Sequence, residues 1–228
     1  MNARLTGISS MATRQVLVDV ASAWRRSGGE VAFESVGGVE AAKRVQNGER
    51  FDVVVLAADV IDKLVAAGRI VAGSKTDLAR SAVAIAVRAG APRPAIDSEA
   101  ALREVVLSAR TIGYSTGPSG VALQQLFERW GIADVIRPRL AQALPGIPVG
   151  ALITRGDVEL GFQQLSELMH VEGIDVIGPM PRGLEMITTF SGGVCTASTQ
   201  ADAARALLDF IRSPAADEAR RRHGMQAA

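Results

Sequence analysis

The sequence predicts an α/β protein of two lobes, each a mixed, mostly parallel sheet flanked by helices. Three observations support this prediction. Hydrophobic residues make up 48% of the 228 residues and aromatic residues only 4%, which indicates an aliphatic core. Short apolar strands alternate with segments of helical periodicity, as in β-α-β units. The chain is also near the length at which single cores stop growing and chains divide into two lobes.

The first lobe begins with a β-α-β-α-β pattern in residues 1–57. The strands are predicted in "RLTGIS", "EVAFESV" and "FDVVVLA", and the helices in "ATRQVLVDVASAWRRSG" and "GGVEAAKRVQNG". The last strand is continuously apolar, which is typical of a parallel sheet covered on both faces. A helix in "DVIDKLVAAGRI" and a strand in "SAVAIAVRAG" follow, and "APRP" marks a boundary.

The second lobe repeats the alternation. Helices are predicted in "SEAALREVVLSA", "GVALQQLFERWGI" and "QQLSELMHV", and strands in "TIGYS", "GDVELGF" and "IDVIGPM". The extended segment "LEMITTFSGGVCTA" then leads to closing helices, in which the basic "ARRRH" is predicted to be a solvated last turn and "HGMQAA" to fray. In such a chain, strand carboxyl ends and helix amino ends converge at a ligand cleft between the lobes.

Composition and charge exclude several classes of function. The net charge of +1 gives no electrostatic footprint for nucleic acid. Cys195 is the single cysteine, so an internal disulfide and a multi-cysteine zinc site are excluded, and His170 and His223 are too far apart in sequence to suggest a metal site. We therefore predict no metal and no cofactor, and expect Cys195 to pack as a small residue.

No apolar run approaches the roughly 20 residues of a membrane span, so no membrane insertion is predicted. The start of the chain lacks the apolar region of a signal peptide. As written, the sequence predicts a cytoplasmic protein, whereas a trimmed sequence would be compatible with the periplasm.

Three short loops place hydroxyls or glycines directly before helices. They are "GISSMA", "SVGGVE" and "STGPSGVA", with Ser10, Gly38 and Ser119 at their centres. The unpaired N–H groups and the positive dipole end of a helix start favour an anion. Ordinary capping explains any one loop alone, but three at corresponding places favour anion binding.

Two other chemistries fit the third loop less well. A phosphate-binding P-loop needs a Lys followed by Ser or Thr, which "STGPSGVA" lacks. The stretch "GYSTG", residues 113–117, matches the nucleophile-elbow pattern, but neither His170 nor His223 has the context of a catalytic histidine.

The order of these loops resembles the type II periplasmic-binding fold, and within it the molybdate-receptor-like substrate-binding proteins. Two longer stretches carry the same resemblance, "GGVEAAKRVQNGERFDVVVLAADVIDKLVAAGRI" and "ARALLDFIRSPAADEARRRHGM". The resemblance implies one lobe of residues 1–80 with the return 185–228, and a second of residues 81–184. It also implies a small anion held by hydroxyls and N–H groups. The implied ligand-binding residues are Ser9, Ser10, Gly37, Gly38, Val39, Thr116, Ser119, Val149 and Gln164.

Two departures from that family pattern bear on the ligand. Val39 stands where the oxyanion binders usually have a serine, and Gln164 where the molybdate binders often have a tyrosine. An amide both donates and accepts hydrogen bonds, whereas an oxyanion without hydrogens can use only donors. The departures favour a small organic carboxylate over molybdate.

The sequence leaves two functions open. The first is a receptor that closes on its anion and, if exported, presents it to an ABC transporter permease. The second is suggested by "GFQQLSEL", which resembles the aconitate isomerases, enzymes that shift a double bond in a tricarboxylate by moving a proton. No catalytic residue is assigned, and Glu40, Glu167 and Tyr114 stay open as the base.

Arginines could also clamp a carboxylate. Arg80 and Arg155 are candidates because a guanidinium binds a carboxylate through two parallel hydrogen bonds. The alternative for each is a solvated position or a surface salt bridge.

Overall fold

The computed structural model describes residues 4–228, and the predicted α/β class is confirmed. Residues 1–3, with which the predicted first lobe begins, lie outside the described residues. The chain forms two compact units. The first unit contains Met1–Ser81 and Thr188–Ala228, and the second contains Ala82–Ile187.

The strands of the described residues are β1 (Leu5–Ser10), β2 (Val31–Val36), β3 (Val53–Ala57), β4 (Thr76–Arg88), β5 (Ile112–Tyr114), β6 (Leu140–Gln142), β7 (Leu160–Gln164), β8 (Ile174–Pro179), β9 (Ile187–Val194) and β10 (Met225–Gln226). The helices are α1 (Arg14–Arg26), α2 (Gly38–Gln46), α3 (Ala58–Ala66), α4 (Glu99–Ser108), α5 (Pro118–Arg129), α6 (Ala133–Ile136), α7 (Val149–Arg155), α8 (Leu165–Leu168), α9 (Ala201–Arg212) and α10 (Asp217–Arg222). The predicted β-α-β-α-β start corresponds to β1 through β3.

In the first unit the strands follow the order β2-β1-β3-β9-β4, and β10 pairs with β4. β1 is parallel to both β2 and β3, and β9 is antiparallel to β3. All five residues of β3 are buried, as its continuous apolar sequence predicts. α1 buries Val16, Leu17 and Val20, which recur at helical spacing and join the core on the sheet.

In the second unit the order is β4-β7-β5-β6, and β8 pairs with β4. β5 is parallel to β6 and β7, whereas β4 is antiparallel to β7 and β8. The core packs α4 and α5 on this sheet, and the rings of Phe127 and Phe162 meet edge to face with centroids 6.3 Å apart.

The helix predicted in "QQLSELMHV" is wrong in its first part and too long. Gln163 and Gln164 are the last residues of β7, and α8 covers only Leu165–Leu168. Gln, Leu and Glu favour helix intrinsically. The pairing of Gln163 and Gln164 with Ala84 and Val83 of β4 outweighs that preference.

The predicted fraying of "HGMQAA" is also wrong. Met225 is 2% exposed and pairs with Ser81 of β4, and Gln226 pairs with Arg80. The apolar side chain and the antiparallel ladder fix this end of the chain to the first unit. A two-residue strand depends on a distant partner, so local sequence gives no signal for it.

The basic cluster before this strand is only partly solvated. Arg221 and Arg222 are exposed, but Arg220 and His223 are 2% and 7% exposed. Arg220 follows the buried Ala216 by four residues, and His223 follows Arg220 by three, so all three share one helical face. That face packs inward, and the prediction of a solvated turn holds only for the other face.

Arg220 satisfies backbone carbonyl groups at the end of α9. Its guanidinium donates to the carbonyl oxygens of Ile211 at 2.5 Å, Ser213 at 2.9 Å and Leu78 at 3.2 Å. Asp217 pairs with it at 2.6 Å. The charge is therefore buried with several acceptors, which offsets its desolvation.

Replacing Arg220→Met is expected to lower the free energy of unfolding by about 3 to 5 kcal/mol, because it leaves these carbonyls without donors and Asp217 without its partner. Arg221→Met, on the exposed face, is the matched control and is expected to change stability by less than about 0.5 kcal/mol. Urea denaturation of both variants measures the difference. Equal stabilities would contradict a structural role for Arg220.

Candidate functional site

Helix starts follow the carboxyl ends of parallel strands in both units. In the first unit β1, β2 and β3 end at Ser10, Val36 and Ala57, and each is followed within a few residues by a helix or helical turn. The first-turn N–H groups of α2 and α3 have no acceptor within their own helices. This edge of the sheet therefore combines unpaired donors with the positive ends of helix dipoles.

Ser10 lies at the centre of this edge. It is 8% exposed, and its Oγ has no hydrogen-bond partner among residues 4–228. A Cβ placed on Gly38 would lie 3.5 Å from the Ser10 Cβ, so the serine stands beside the start of α2. A buried hydroxyl without a partner costs free energy, and such groups in native structures call for an explanation.

The neighbouring predicted residues have different surroundings. Ser9 is fully buried, and its Oγ is 2.8 Å from the Oγ of Ser35, so its hydroxyl already has a protein partner. Gly37 precedes α2 as its N-cap, and Gly38 and Val39 are the first residues of the helix. The Val39 side chain is 59% exposed, which leaves its backbone N–H as its polar contribution.

The third predicted loop follows β5 in the second unit, and its hydroxyls pair with each other. Ser115 Oγ and Ser119 Oγ are 2.9 Å apart, and Ser119 is 6% exposed. A Cβ on Gly120 would lie 1.9 Å from the Ser115 carbonyl oxygen, so Gly120 is required for this loop to pack on α5. Thr116 is partly buried in the same loop. The Ser115 hydroxyl contacts a serine rather than a histidine base.

The remaining predicted residues of the second unit are Val149 and Gln164. Val149 begins α7 and is fully buried, and its backbone N–H donates to Gln163 Oε1 at 2.7 Å. That N–H group therefore has a protein acceptor. Gln164, 3% exposed, is the last residue of β7 and pairs in register with Val83.

Gln163 was not predicted as a site residue from the sequence, although both ends of its buried side-chain amide are hydrogen-bonded. Its Nε2 donates to Glu167 Oε1 at 2.8 Å, while its Oε1 accepts from Val149. Burial raises the pKa of the Glu167 carboxyl to about 7, and the hydrogen bond from Gln163 opposes that rise. The sequence signal for Gln163 was the pair of adjacent glutamines. Neighbouring residues of a strand face opposite sides of a sheet, so the two side chains have different surroundings.

Three other candidate residues, Cys195, Arg155 and Arg80, lie outside the loops described above. Burial and the charge of Asp52 raise the pKa of the Cys195 thiol to about 12, so it stays protonated and is a poor nucleophile. Arg155 pairs with Asp157 at 3.0 Å on the surface, which is the alternative that the sequence left open. Arg80 is exposed in β4.

Residues 4–228 contain no group of three or more His, Cys, Asp or Glu side chains placed to hold a metal ion. In the same range, no helix has the length and apolar character needed to cross a membrane.

Comparison with known proteins places the chain in a family. The profile described as bacterial extracellular solute-binding protein matches residues 5–226. A Pseudomonas protein named aconitate isomerase is 37% identical over 222 residues, 94% of this chain and 84% of that protein. The molybdate-binding protein ModA of Azotobacter vinelandii is 25% identical over 215 residues, 90% of this chain and 83% of that protein.

Solved structures share the fold. The periplasmic molybdate-binding protein of Azotobacter vinelandii superposes with a TM-score of 0.80 at 17% identity, over 97% of this chain and 98% of that one. The sulfate-binding protein SubI from Mycobacterium tuberculosis has a TM-score of 0.80 at 16% identity, over 100% of this chain and 88% of that one.

The fold and the family profile together define a periplasmic-binding-type protein of the type II class. The chain belongs to the bacterial extracellular solute-binding proteins, and the resemblance predicted from its loops is confirmed.

The Ser10→Ala substitution is expected to leave the free energy of unfolding unchanged or to raise it slightly. The hydroxyl that the substitution removes has no hydrogen-bond partner among residues 4–228. Ser9→Ala is the matched control and is expected to lose about 1 kcal/mol with its bond to Ser35. Thermal and urea unfolding compare the two. A loss of more than about 1 kcal/mol in Ser10→Ala would mean that its hydroxyl supports the fold.

Proposed function

We propose that the protein binds a small organic anion bearing carboxylates, with the Ser10 hydroxyl and the first-turn N–H groups of α2 as donors. The observation that carries the proposal is the buried Ser10 Oγ, which has no partner in the described chain and stands beside Gly38. A carboxylate oxygen at this point would accept from the hydroxyl and from the helix start together. Its charge would also be stabilised by the α2 dipole.

The preference for a carboxylate over molybdate rests on Val39 and Gln164. Val39 offers no hydroxyl, so only its backbone N–H can donate to an anion. The buried amide of Gln164 can accept as well as donate, which suits a ligand that carries a hydroxyl or a protonated carboxyl. The 37% identity to a protein named aconitate isomerase supports a polycarboxylate, and the 25% identity to ModA supports the broader class of small anions.

The other ligand-binding residues predicted from the sequence also stay proposals, and each is described within its own unit. Gly37 and Gly38 let an anion approach the backbone closely. Ser119 and Thr116 can donate hydroxyls if the bond between Ser115 and Ser119 rearranges. The N–H of Val149 is already bonded to Gln163, so we propose that Val149 supplies an apolar wall.

The partner of such a receptor is an ABC transporter permease, and this too is a proposal. Membership of the solute-binding family supports it, as does the fold shared with the substrate-binding domain of a putative molybdenum ABC transporter from Clostridium difficile.

A thermal-shift panel tests the ligand class. Citrate, cis-aconitate and tricarballylate are expected to raise Tm, because a ligand at about 100 times its Kd adds about 2.7 kcal/mol to native-state stability. Ser10→Ala is expected to weaken binding about 10-fold or more, while Ser22→Ala, exposed on α1, binds like the wild type. Stabilisation by molybdate or sulfate alone would overturn the carboxylate proposal.

A second candidate function is isomerisation of unsaturated polycarboxylates. Two observations favour it: the 37% identical relative named aconitate isomerase, and a partly buried carboxyl, Glu167, whose pKa lies at about 7. Groups that titrate near the working pH are suited to move protons in both directions. Binding requires donors for the anion, and isomerisation requires in addition a group that transfers a proton.

Incubation with cis- or trans-aconitate tests this candidate. The purified protein is expected to interconvert the two isomers, and the vinyl proton signals in NMR spectra follow the reaction. Protein unfolded by heat is the control. Unchanged spectra over long incubation, together with a Tm increase from tricarballylate, would exclude the isomerase function and support the receptor function.

A further inference from the structure

A short chain of hydrogen bonds in the second unit ends at a carboxyl group. The backbone N–H of Val149 donates to Gln163 Oε1 at 2.7 Å, and Gln163 Nε2 donates to Glu167 Oε1 at 2.8 Å. Gln163 is 2% exposed, so water does not compete for its amide. The N–H donor fixes which end of the amide is oxygen, and the NH₂ end must therefore face Glu167.

The position of Glu167 places it at the carboxyl edge of the second unit's sheet. β7 runs parallel to β5, with Phe162 paired to Tyr114, so both strands end at the same edge. The loop of Ser115 and Ser119 follows β5, and α8 with Glu167 follows β7. Ligand-contacting groups of parallel α/β sheets lie at this edge.

The hydrogen bond holds one carboxyl oxygen in place. Gln163 Nε2 donates to Oε1, and Gln163 is itself fixed by the backbone N–H of Val149. Glu167 as a whole is of intermediate exposure. A carboxylate held at one oxygen has a fixed orientation, which sets the direction of proton transfer.

The pKa of the Glu167 carboxyl is suited to proton transfer near neutral pH. Burial is the larger influence and raises its pKa to about 7, while the bond from Gln163 lowers it. No charged side chain of the described residues contributes to the shift. At neutral pH both protonation states are populated, as a group that first takes and then returns a proton requires.

We propose that Glu167 is the catalytic residue that carries the proton in this isomerisation, and that Gln163 is the residue that positions it. The inference rests on the second candidate function above. Glu40 is exposed in the first turn of α2, and the Tyr114 hydroxyl accepts a hydrogen bond from Gln124 at 2.9 Å. Among these three, Glu167 alone has a carboxyl oxygen that a buried amide holds in place.

The reaction balances with this one group. Oε2 of ionised Glu167 removes a proton from the methylene carbon between a carboxylate and the double bond. The electron pair of that C–H bond forms the new double bond, and the pair of the old double bond moves to its far carbon. That carbon takes a proton from Oε2–H, which exchanges with solvent between the two steps, so Glu167 is regenerated and neither oxidant nor co-reactant is consumed.

Glu167→Gln is the principal test, because the amide keeps the shape of the side chain and an oxygen that can accept from Gln163. Its kcat for aconitate interconversion is expected to fall about 100-fold or more, with the Tm increase from tricarballylate retained. In D₂O the wild type is expected to incorporate deuterium at the substrate's methylene carbon, and the variant not. Glu172→Gln, exposed after α8, is the matched control and should behave as the wild type in all three measurements.

Gln163→Met tests the positioning role through the pH profile. Because the Gln163 hydrogen bond lowers the pKa of Glu167, its loss raises that pKa. The ionised base then forms only at higher pH, so the acid limb of kcat is expected to move to higher pH than in the wild type, where it lies near 7. An unmoved acid limb in a folded Gln163→Met protein would overturn the positioning role.

The outcomes separate the two proposals. An active wild type with Glu167→Gln within about threefold of it would overturn the role of Glu167 and leave the isomerase intact. A wild type that binds tricarballylate but neither isomerises aconitate nor exchanges deuterium would remove the isomerase and Glu167's role together. Loss of kcat and of exchange with binding retained supports the proposal, even if Gln163→Met fails to fold.

Discussion

Parallel β-α connections bring helix starts to one edge of a sheet, and the N–H groups there need acceptors. Both units of this protein face that constraint, and they meet it differently. In the first unit Ser10 Oγ is buried beside α2 and has no hydrogen-bond partner among the residues that the structure describes. In the second unit Ser115 and Ser119 pair with each other, and the N–H of Val149 bonds to Gln163. The first unit thus keeps open donors, and the second has largely satisfied its own.

Because of this difference, the two units are suited to different chemistry: the first to holding an anion and the second to transferring a proton. Open donors at a helix start hold negative charge and require no proton movement. The second unit instead presents a carboxyl, Glu167, that an internal hydrogen bond orients and burial brings to a pKa of about 7. Hydrogen-bond donors can hold an anion, whereas an oriented carboxyl that titrates near neutral pH can also transfer a proton.

Much of the fold could be predicted from local sequence because its strands and helices have strong periodicity. The continuous apolar run of β3 and the helical spacing of α1 are examples. The errors arose where distant partners decide. Gln163 and Gln164 lie in β7 rather than in the predicted helix because they pair with β4, and Met225 is fixed by Ser81. The sequence analysis predicts no helix or strand within residues 133–155, although α6, β6 and α7 lie there.

The candidate site was less predictable than the fold. The sequence indicated serines and glycines before helices, but hydroxyls that are free cannot be distinguished from hydroxyls that are paired without coordinates. Ser9 Oγ bonds to Ser35, whereas the Oγ of Ser10, one residue later, has no partner within residues 4–228, because alternate strand residues face opposite sides. The same alternation separates Gln163 from Gln164. The sequence therefore indicated the loops, and the structure distinguishes the side chains within them.

The central claim is that the start of α2 and the Ser10 hydroxyl receive an anion. A citrate titration followed by ¹H–¹⁵N NMR measures this directly, because amide protons that donate to a carboxylate shift downfield. The amides of Gly38, Val39 and Glu40 are predicted to show the largest downfield shifts in the first unit, and Ser10→Ala to reduce them. Citrate binding that leaves these three amides unshifted would contradict the claim.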